Sequence, residues 1–462
     1  MFTCSRQALI RIGKYVLTKD NELKNKFLVP VKKGYSCLHP VSKDYPVIMK
    51  LDTPEFKALF SPELTTLSSL FKEYGYELRI AGGAVRDLLM KIQPKDLDFA
   101  TTATPDQMKE MFNAESIRMI NTKGEKHGTI TPRINDKENF EVTTLRIDVR
   151  TDGRHADVEF TTDWKLDANR RDLTINSMFL GLDGTVYDYF GGYQDLLQRK
   201  LIFVGDASTR IQEDYLRILR YFRFYGRIAE HANCHEERTL QAIKENVDGL
   251  SGISGERIWS ELERILRGNF AGDIMKIMLS LGIGPHIGLP VEPNLIEFDR
   301  VWNQQHVDRL HPITLLVALL RNQEEMMKFH ARVKLSAYQR DLGLFVIEHR
   351  QEKLSVNSLL PYQLLVVNSK GKVSDTREWV IEVLKYRGDI SLRNEFELWN
   401  MPKFPLSGNI LKERGVQGGK IMGSVIQKLK QTWAESNFTL SSEDLLKMLP
   451  DILSELDVKP KR

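Results

Sequence analysis

The chain has 462 residues, 42% of them hydrophobic, a length that accommodates about three domains; mean hydropathy is −0.33 and no apolar run approaches the roughly 18 residues of a spanning helix, so an integral helical membrane protein is excluded. The three cysteines, Cys4, Cys37 and Cys234, lie far apart, which excludes a disulfide framework and a cysteine-based zinc site. Lys and Arg outnumber Asp and Glu by 66 to 62, yet residues 1–50 hold ten basic and three acidic side chains, so that segment carries +7 and the rest −3, and any nucleic-acid contact by the body must use local patches, not bulk charge.

Residues 1–50 form a basic N-terminal segment. Arg6, Arg11, Lys14 and Lys19 precede the first acid, Asp20, with Leu9, Ile10, Ile12, Val16 and Leu17 between them. This resembles a mitochondrial transit peptide; the rival reading is a solvated basic tail. Met49, ahead of an expected helix, offers a second start for an additional cytoplasmic or nuclear form. From Pro54 to Tyr76 apolar residues recur at helical spacing. Glu77–Ala81 reads as a strand ending at Gly82-Gly83, residues 84–91 as a helix, and Lys95–Ala100 as a strand. Thr104-Pro105 reads as an N-cap with proline in the first turn, opening a helix to about Asn113. His127–Ile134, Asn139–Ile147 and Ala156–Thr161 read as strands. The alternation predicts a small mixed α/β head over 51–190. Beyond Arg210 helical periodicity dominates to the C-terminus, with no repeat and no low-complexity tract.

The chemistry concentrates in a few stretches. Gly82-Gly83-Ala84-Val85-Arg86-Asp87 follows a strand and opens a helix. Its glycines let backbone approach a ligand, the amides at a helix start suit a phosphate, and Arg86 adds a fork of donors. The chain has neither a G-x-x-x-x-G-K-[ST] loop nor a G-x-G-x-x-G fingerprint. Ten residues past Arg86 come Asp96-Leu97-Asp98. On a strand, i and i+2 share a face, so two carboxylates stand side by side and call for a cation. Mg²⁺, which prefers carboxylate and phosphate oxygens, fits.

These two segments together resemble the nucleotidyltransferase superfamily that shares its head with DNA polymerase beta. Asn169–Asn176, with Arg170-Arg171-Asp172, is similar to the R-R-D-x-T-x-N segment of its class II tRNA nucleotidyltransferase and bacterial poly(A) polymerase branch. Asp188–Leu196 resembles the D-x-x-x-G-x-x-D-L stretch joining head to neck, where Gly191 and Gly192 permit either a hinge or an ordinary turn. Glu213-Asp214-Tyr215-Leu216-Arg217 resembles the segment that selects CTP and then ATP. Read as one helix, it sets Asp214 and Arg217 one turn apart, offering an acceptor and a donor to one base edge. Ser254–Leu262 resembles a further motif, read as a structural helix start with a cap. Phe404–Gly408 with Gly415, Gly419 and Gly423 resembles the tail motif, except that Asn409 stands where Asp is frequent.

The resemblance covers roughly 50–450 and is closest to class II CCA tRNA nucleotidyltransferases of eukaryotes. It implies an α/β nucleotidyltransferase head (51–190) followed by an all-helical neck for base recognition (191–270), body (271–400) and tRNA-contacting tail (401–462). It implies template-independent addition of C, C and A to the tRNA 3′ end from CTP and ATP. Asp96 and Asp98 would bind Mg²⁺, with Glu141 as a third catalytic carboxylate. Gly82, Gly83, Arg86 and Arg171 would hold the triphosphate. Asp214 and Arg217 would read the base, supported by Arg220 and Arg223. The polar stretch Asp148–Asp157 would act in the C-to-A switch. The implied partners are tRNA (3′ end, acceptor and T arms), CTP and ATP, with no membrane and no obligate protein partner. Rival readings are a poly(A) polymerase of the same branch and a non-catalytic RNA-binding or chaperone protein.

Overall fold

The computed structural model describes residues 46–120, 122–151, 156–304, 309–351, 358–369 and 371–456. The proposed transit segment lies almost wholly outside these residues, as does much of the Asp148–Asp157 stretch. The head begins with β1 (Val47–Lys50), β2 (Leu78–Ala81), β3 (Asp98–Thr101) and β4 (Arg118–Ile120). It continues with β5 (Thr129–Ile134), β6 (Glu138–Asn139), β7 (Glu141–Thr144), β8 (Arg146–Thr151), β9 (Ala156–Phe160), β10 (Phe179–Gly181) and β11 (Thr185–Tyr187). One sheet runs β1-β11-β10-β2-β3-β7-β5-β4, with β6 on β5 and β8–β9 a separate hairpin. Its pairs are antiparallel except β3–β7, so the sheet is mixed as expected. Met49 lies in β1, where it pairs with Val186, and the expected helical stretch follows from Pro54.

The first helical stretch is two helices, Pro54–Lys57 and Pro62–Glu73, capped by Thr53 and Ser61. Thr104 and Gln107 make the reciprocal capping box that starts helix Pro105–Ala114. These helices bury Leu64, Leu67, Phe71, Met108 and Phe112 in the head core. After Tyr187 the described residues form helices and turns with no further strand. Helix Arg217–Ile228 buries Ile218, Leu219, Tyr221, Phe222 and Tyr225 and packs against Gly255–Leu266. One hydrophobic cluster runs continuously from Leu51 in the head to Tyr386 in the body, whereas Leu406–Ile452 form a core of their own. No helix among the described residues is long and apolar enough to cross a membrane.

At the head–neck junction Asp188 is buried, and its carboxylate accepts from the backbone N–H groups of Phe190, Gly192 and Tyr193. Gly191 is left-handed, and a Cβ on Gly192 would stand 2.1 Å from the Thr174 carbonyl oxygen. The glycine pair therefore serves a capped turn and a close backbone approach, not an open hinge. In the tail the helix Gly408–Glu413 is capped by Ser407, so Asn409 is not needed for the cap. Ser254 stands at the expected helix start, but its side chain makes no cap bond.

Candidate nucleotidyl-transfer site

β2 runs directly into Gly82, whose φ of 68° and ψ of −122° precede helix Gly83–Leu89. A Cβ on Gly82 would stand 3.0 Å from Arg171 Nη1, so glycine is required both by conformation and by this close approach. Arg86 is buried, donating Nε and Nη2 to Asp87 Oδ1 at 3.0 and 2.9 Å and Nη1 to Asn176 Oδ1. Its guanidinium lines the cleft but is engaged with protein partners. Asp87 Oδ2 in turn accepts from Arg227 at 2.8 Å.

Asp98 opens β3, and Glu141 opens the adjacent β7 in parallel register with it. The third carboxylate nominated from sequence thus stands beside Asp98 on the neighbouring strand. Asp96 lies just before β3, so the shared-face argument for the pair does not hold as stated. A bend and not strand alternation brings Asp96 to the same cleft. Loss of hydration, then Glu141, pushes the Asp98 carboxyl above its ordinary value; Arg171 opposes this and Asp96 adds to it. Negative oxygens crowded against the Asp98 carboxylate fit a hard divalent cation. Among the described residues no three His, Cys, Asp or Glu side chains form a ready metal cage.

Arg171 Nε and Nη2 donate to Asp167 Oδ2 at 3.2 and 3.0 Å. Asp172 is buried, accepting from Arg220 Nε at 2.7 Å, Leu173 N–H at 2.8 Å and Asn176 Nδ2 at 3.3 Å. Burial would raise its carboxyl, but Arg220 and these hydrogen bonds hold it below the usual range. Arg223 pairs with Glu261 at 3.0 Å, and burial lowers its guanidinium to about 10 despite that partner.

Asp214 and Arg217 are not on one helix. Asp214 is the extended C-cap of Ala207–Glu213, and Arg217 begins Arg217–Ile228. A tight turn replaces the helical spacing, closed by the Arg217 N–H donating to the Asp214 carbonyl at 2.9 Å. Asp214 Oδ2 accepts from Arg257 at 2.6 Å and Oδ1 from the Leu216 N–H at 3.1 Å. Arg217 donates to Glu213, to the Arg210 carbonyl and, through Nη2, to the Arg170 carbonyl at 3.0 Å. The motif holding Arg257, read from sequence as structural, contributes this direct partner of Asp214.

Gly82, Gly83, Arg86, Asp96, Asp98, Arg171, Asp214, Arg217, Arg220 and Arg223 all line one cleft of about 1050 Å³, in which eleven lining residues are arginines. Glu141 is outside it, lining a second cleft of about 800 Å³ that Asp96 and Asp98 also border. Sequence reasoning missed Arg227, Arg257, Arg264 and Arg267, which belong to the same wall. Helical phase was a usable signal for Arg227, which falls one turn beyond Arg223.

An arginine-lined cleft edged by Asp96 and Asp98 at the start of a strand in a mixed sheet is the arrangement of a nucleotidyltransferase head. The Poly A polymerase head domain family matches residues 78–202, and the "Probable RNA and SrmB- binding site of polymerase A" family matches 235–290. The chain is 52% identical over 405 residues to the CCA tRNA nucleotidyltransferase 1, mitochondrial, of Danio rerio, covering 87% of this chain and 93% of that protein. It is 52% identical over 410 residues to the protein of the same name from Homo sapiens, with the same coverage. The crystal structure of the Bacillus stearothermophilus CCA-adding enzyme in complex with CTP shares the fold, with a TM-score of 0.68 at 23% identity over 88% of this chain and 99% of that one. The chain belongs to the CCA tRNA nucleotidyltransferase family.

Proposed function

We propose that this chain adds C, C and A to the 3′ end of tRNA from CTP and ATP, without a nucleic-acid template and with release of pyrophosphate. The observation that carries the reading is a single cleft lined by Asp96 and Asp98, a wall of arginines, and Asp214 with Arg217. The relatives' shared name gives the tRNA substrate and the order of nucleotides.

Asp96 and Asp98 would hold Mg²⁺, with Glu141 beside them; bound there, the metal supplies activation of the attacking 3′-hydroxyl and charge neutralisation on the departing pyrophosphate. The Gly82-Gly83 turn brings backbone close to the phosphates, and Arg171 offers donors to their oxygens. Arg86 braces that turn through Asp87 and Asn176. Cytosine and adenine each present an amino donor beside a ring-nitrogen acceptor. Asp214 accepts from the amino group and Arg217 donates to the ring nitrogen. Arg220 and Arg223 support this face, anchored by Asp172 and Glu261. The helical body and the tail from about 401 hold the acceptor and T arms.

The mitochondrial names of the relatives suit residues 1–50 as a transit segment. A second form starting at Met49 would serve the cytoplasm or nucleus, at the loss of Val47 and Ile48 from edge strand β1. The deciding experiment incubates the full chain with tRNA lacking its 3′ CCA and each labelled nucleotide. Addition of C, C and A followed by a stop is the expected result. A long A tail identifies a poly(A) polymerase, and no product a non-catalytic RNA-binding protein.

A further inference from the structure

Asp167 falls outside the sequence motifs, yet it is 1% exposed and its charge therefore needs partners within the protein. It lies in the short helix Trp164–Asn169, with Arg170 and Arg171 three and four residues on. Those are the offsets at which side chains meet along a helix face. Its Oδ2 accepts from Arg171 Nε and Nη2, while Oδ1 accepts from Arg170 Nε at 2.8 Å and from the Arg146 N–H at 3.2 Å. Burial would raise the carboxyl, but Arg171 and then Arg170 outweigh it and hold it below its ordinary value.

Two consequences follow from this one carboxylate. It grips Arg171 along the Nε–Nη2 edge and leaves Nη1 directed at the Gly82 turn, 3.0 Å from where a Gly82 Cβ would stand. It also pins Arg170, whose carbonyl accepts from Arg217 Nη2 at 3.0 Å. Consecutive residues therefore send a side chain to the phosphate turn and a backbone carbonyl to the neck.

We propose that Asp167 is a positioning residue for nucleotidyl transfer, setting the direction of Arg171 toward the triphosphate and of Arg217 toward the base. The proposal rests on the roles given to Arg171 and Arg217 under the proposed function. Asp167 itself touches neither substrate nor metal; it acts by presenting two arginines in fixed orientations before the nucleotide arrives. Removing its charge frees the Arg170 and Arg171 side chains to reorient and leaves both guanidinium groups without their buried acceptor.

The test measures steady-state kinetics of the full chain for all four nucleotides, on tRNA lacking its CCA end, with melting temperature alongside. Asp167→Asn keeps the shape and removes the charge. It is expected to raise KM for CTP and ATP by about 10- to 100-fold, the range for loss of an orienting partner, and to narrow their advantage over UTP and GTP. Asp167→Glu restores the charge at a shifted position and is expected to fall between Asn and wild type. Asp163→Ala removes the N-cap of the same helix, where Asp163 Oδ1 accepts from Lys165 and Leu166 N–H, without touching either arginine. It is expected to lower the melting temperature and leave KM near wild type. The double variant Asp167→Asn/Arg171→Ala is expected to exceed Arg171→Ala alone in KM by less than Asp167→Asn exceeds wild type, since the Arg171 arm is already lost and coupled residues are not additive.

An unchanged KM in Asp167→Asn, or an equal KM rise in Asp163→Ala, overturns the proposal. If Asp167→Asn does not fold, a wild-type KM in Asp167→Glu does the same. Arg171→Ala separates the two levels: an unchanged KM there overturns the reading of the cleft itself, while a raised KM there with an unaffected Asp167→Asn overturns only the positioning role.

Discussion

In the proposed function Asp96 and Asp98 are the side chains on which transfer depends most. Asp98 is fixed by β3 and pressed by Glu141, while Asp96 reaches the cleft from a bend. Asp96→Ala or Asp98→Ala is expected to reduce Mg²⁺-dependent transfer far below a tenth of the wild-type rate while leaving gel-shift affinity for tRNA nearly unchanged, because the proposed reading gives RNA binding to the helical body and tail. Retention of a tenth of the rate would contradict the metal assignment. The residues themselves were legible because clustered acids and arginines have few other uses in so short a stretch. Their partners were not. Asp167 lies outside the motifs and Arg257 in one read as a structural helix start, and only the fold shows that their partners Arg171 and Asp214 line the cleft.

At the scale of elements, capping chemistry was the most readable signal. Thr104 and Pro105 announce their helix, and the structure adds Gln107 to complete the capping box. The Asp214–Arg217 segment was not readable in the same way. Its residues suit a helix, but tertiary packing against Arg257 and Arg170 turns Asp214 out into an extended cap. The neck also carries an aromatic stack with a pH consequence. His235 lies 3.6 Å from the Tyr225 ring, nearly parallel to it, with Nδ1 2.9 Å from the Tyr221 hydroxyl. Burial lowers its imidazole from 6.5 to about 4. In the window between these values the unfolded chain binds the proton and the folded chain does not. This stabilising contribution is therefore fully present above 6.5 and is lost as pH falls toward about 4. Melting temperature is expected to drop across that window, and His235→Phe, which keeps a ring on Tyr225, is expected to flatten the drop. An equal slope in wild type and variant would show that other groups govern it.

Across the whole molecule, the order of head and helical remainder was legible because hydrophobic period changes from strand-like to helical along the chain. The boundary assigned near 190 has no counterpart in the core, where Leu51 through Tyr386 form one cluster. Sequence periodicity marks elements but not which elements share a core. The tail differs, with its own core around Leu411, Val425, Leu429 and Trp433. Removal of residues from about 400 onward is expected to weaken tRNA binding more than nucleotide binding. It is also expected to reduce the salt slope by about 0.7–0.9 for each RNA phosphate that the tail no longer neutralises. A folded truncation, checked by circular dichroism, with an unchanged slope would remove the tail from RNA contact.

In the proposed function, protein side chains choose the base in place of a template. Uracil and guanine present a carbonyl and an N–H where cytosine and adenine present an amino group and a ring nitrogen. They would set an acceptor against Asp214 and a donor against Arg217. Each unpaired buried group costs about 1–3 kcal/mol, so rejection of roughly 30- to 10⁴-fold is available from the two together. The most direct measurement is the incorporation rate of all four nucleotides by Asp214→Ala on tRNA lacking its CCA end. Slower use of CTP and ATP and a narrowed advantage over UTP and GTP are expected, with tRNA affinity near wild type; equal slowing of all four would place base selection elsewhere.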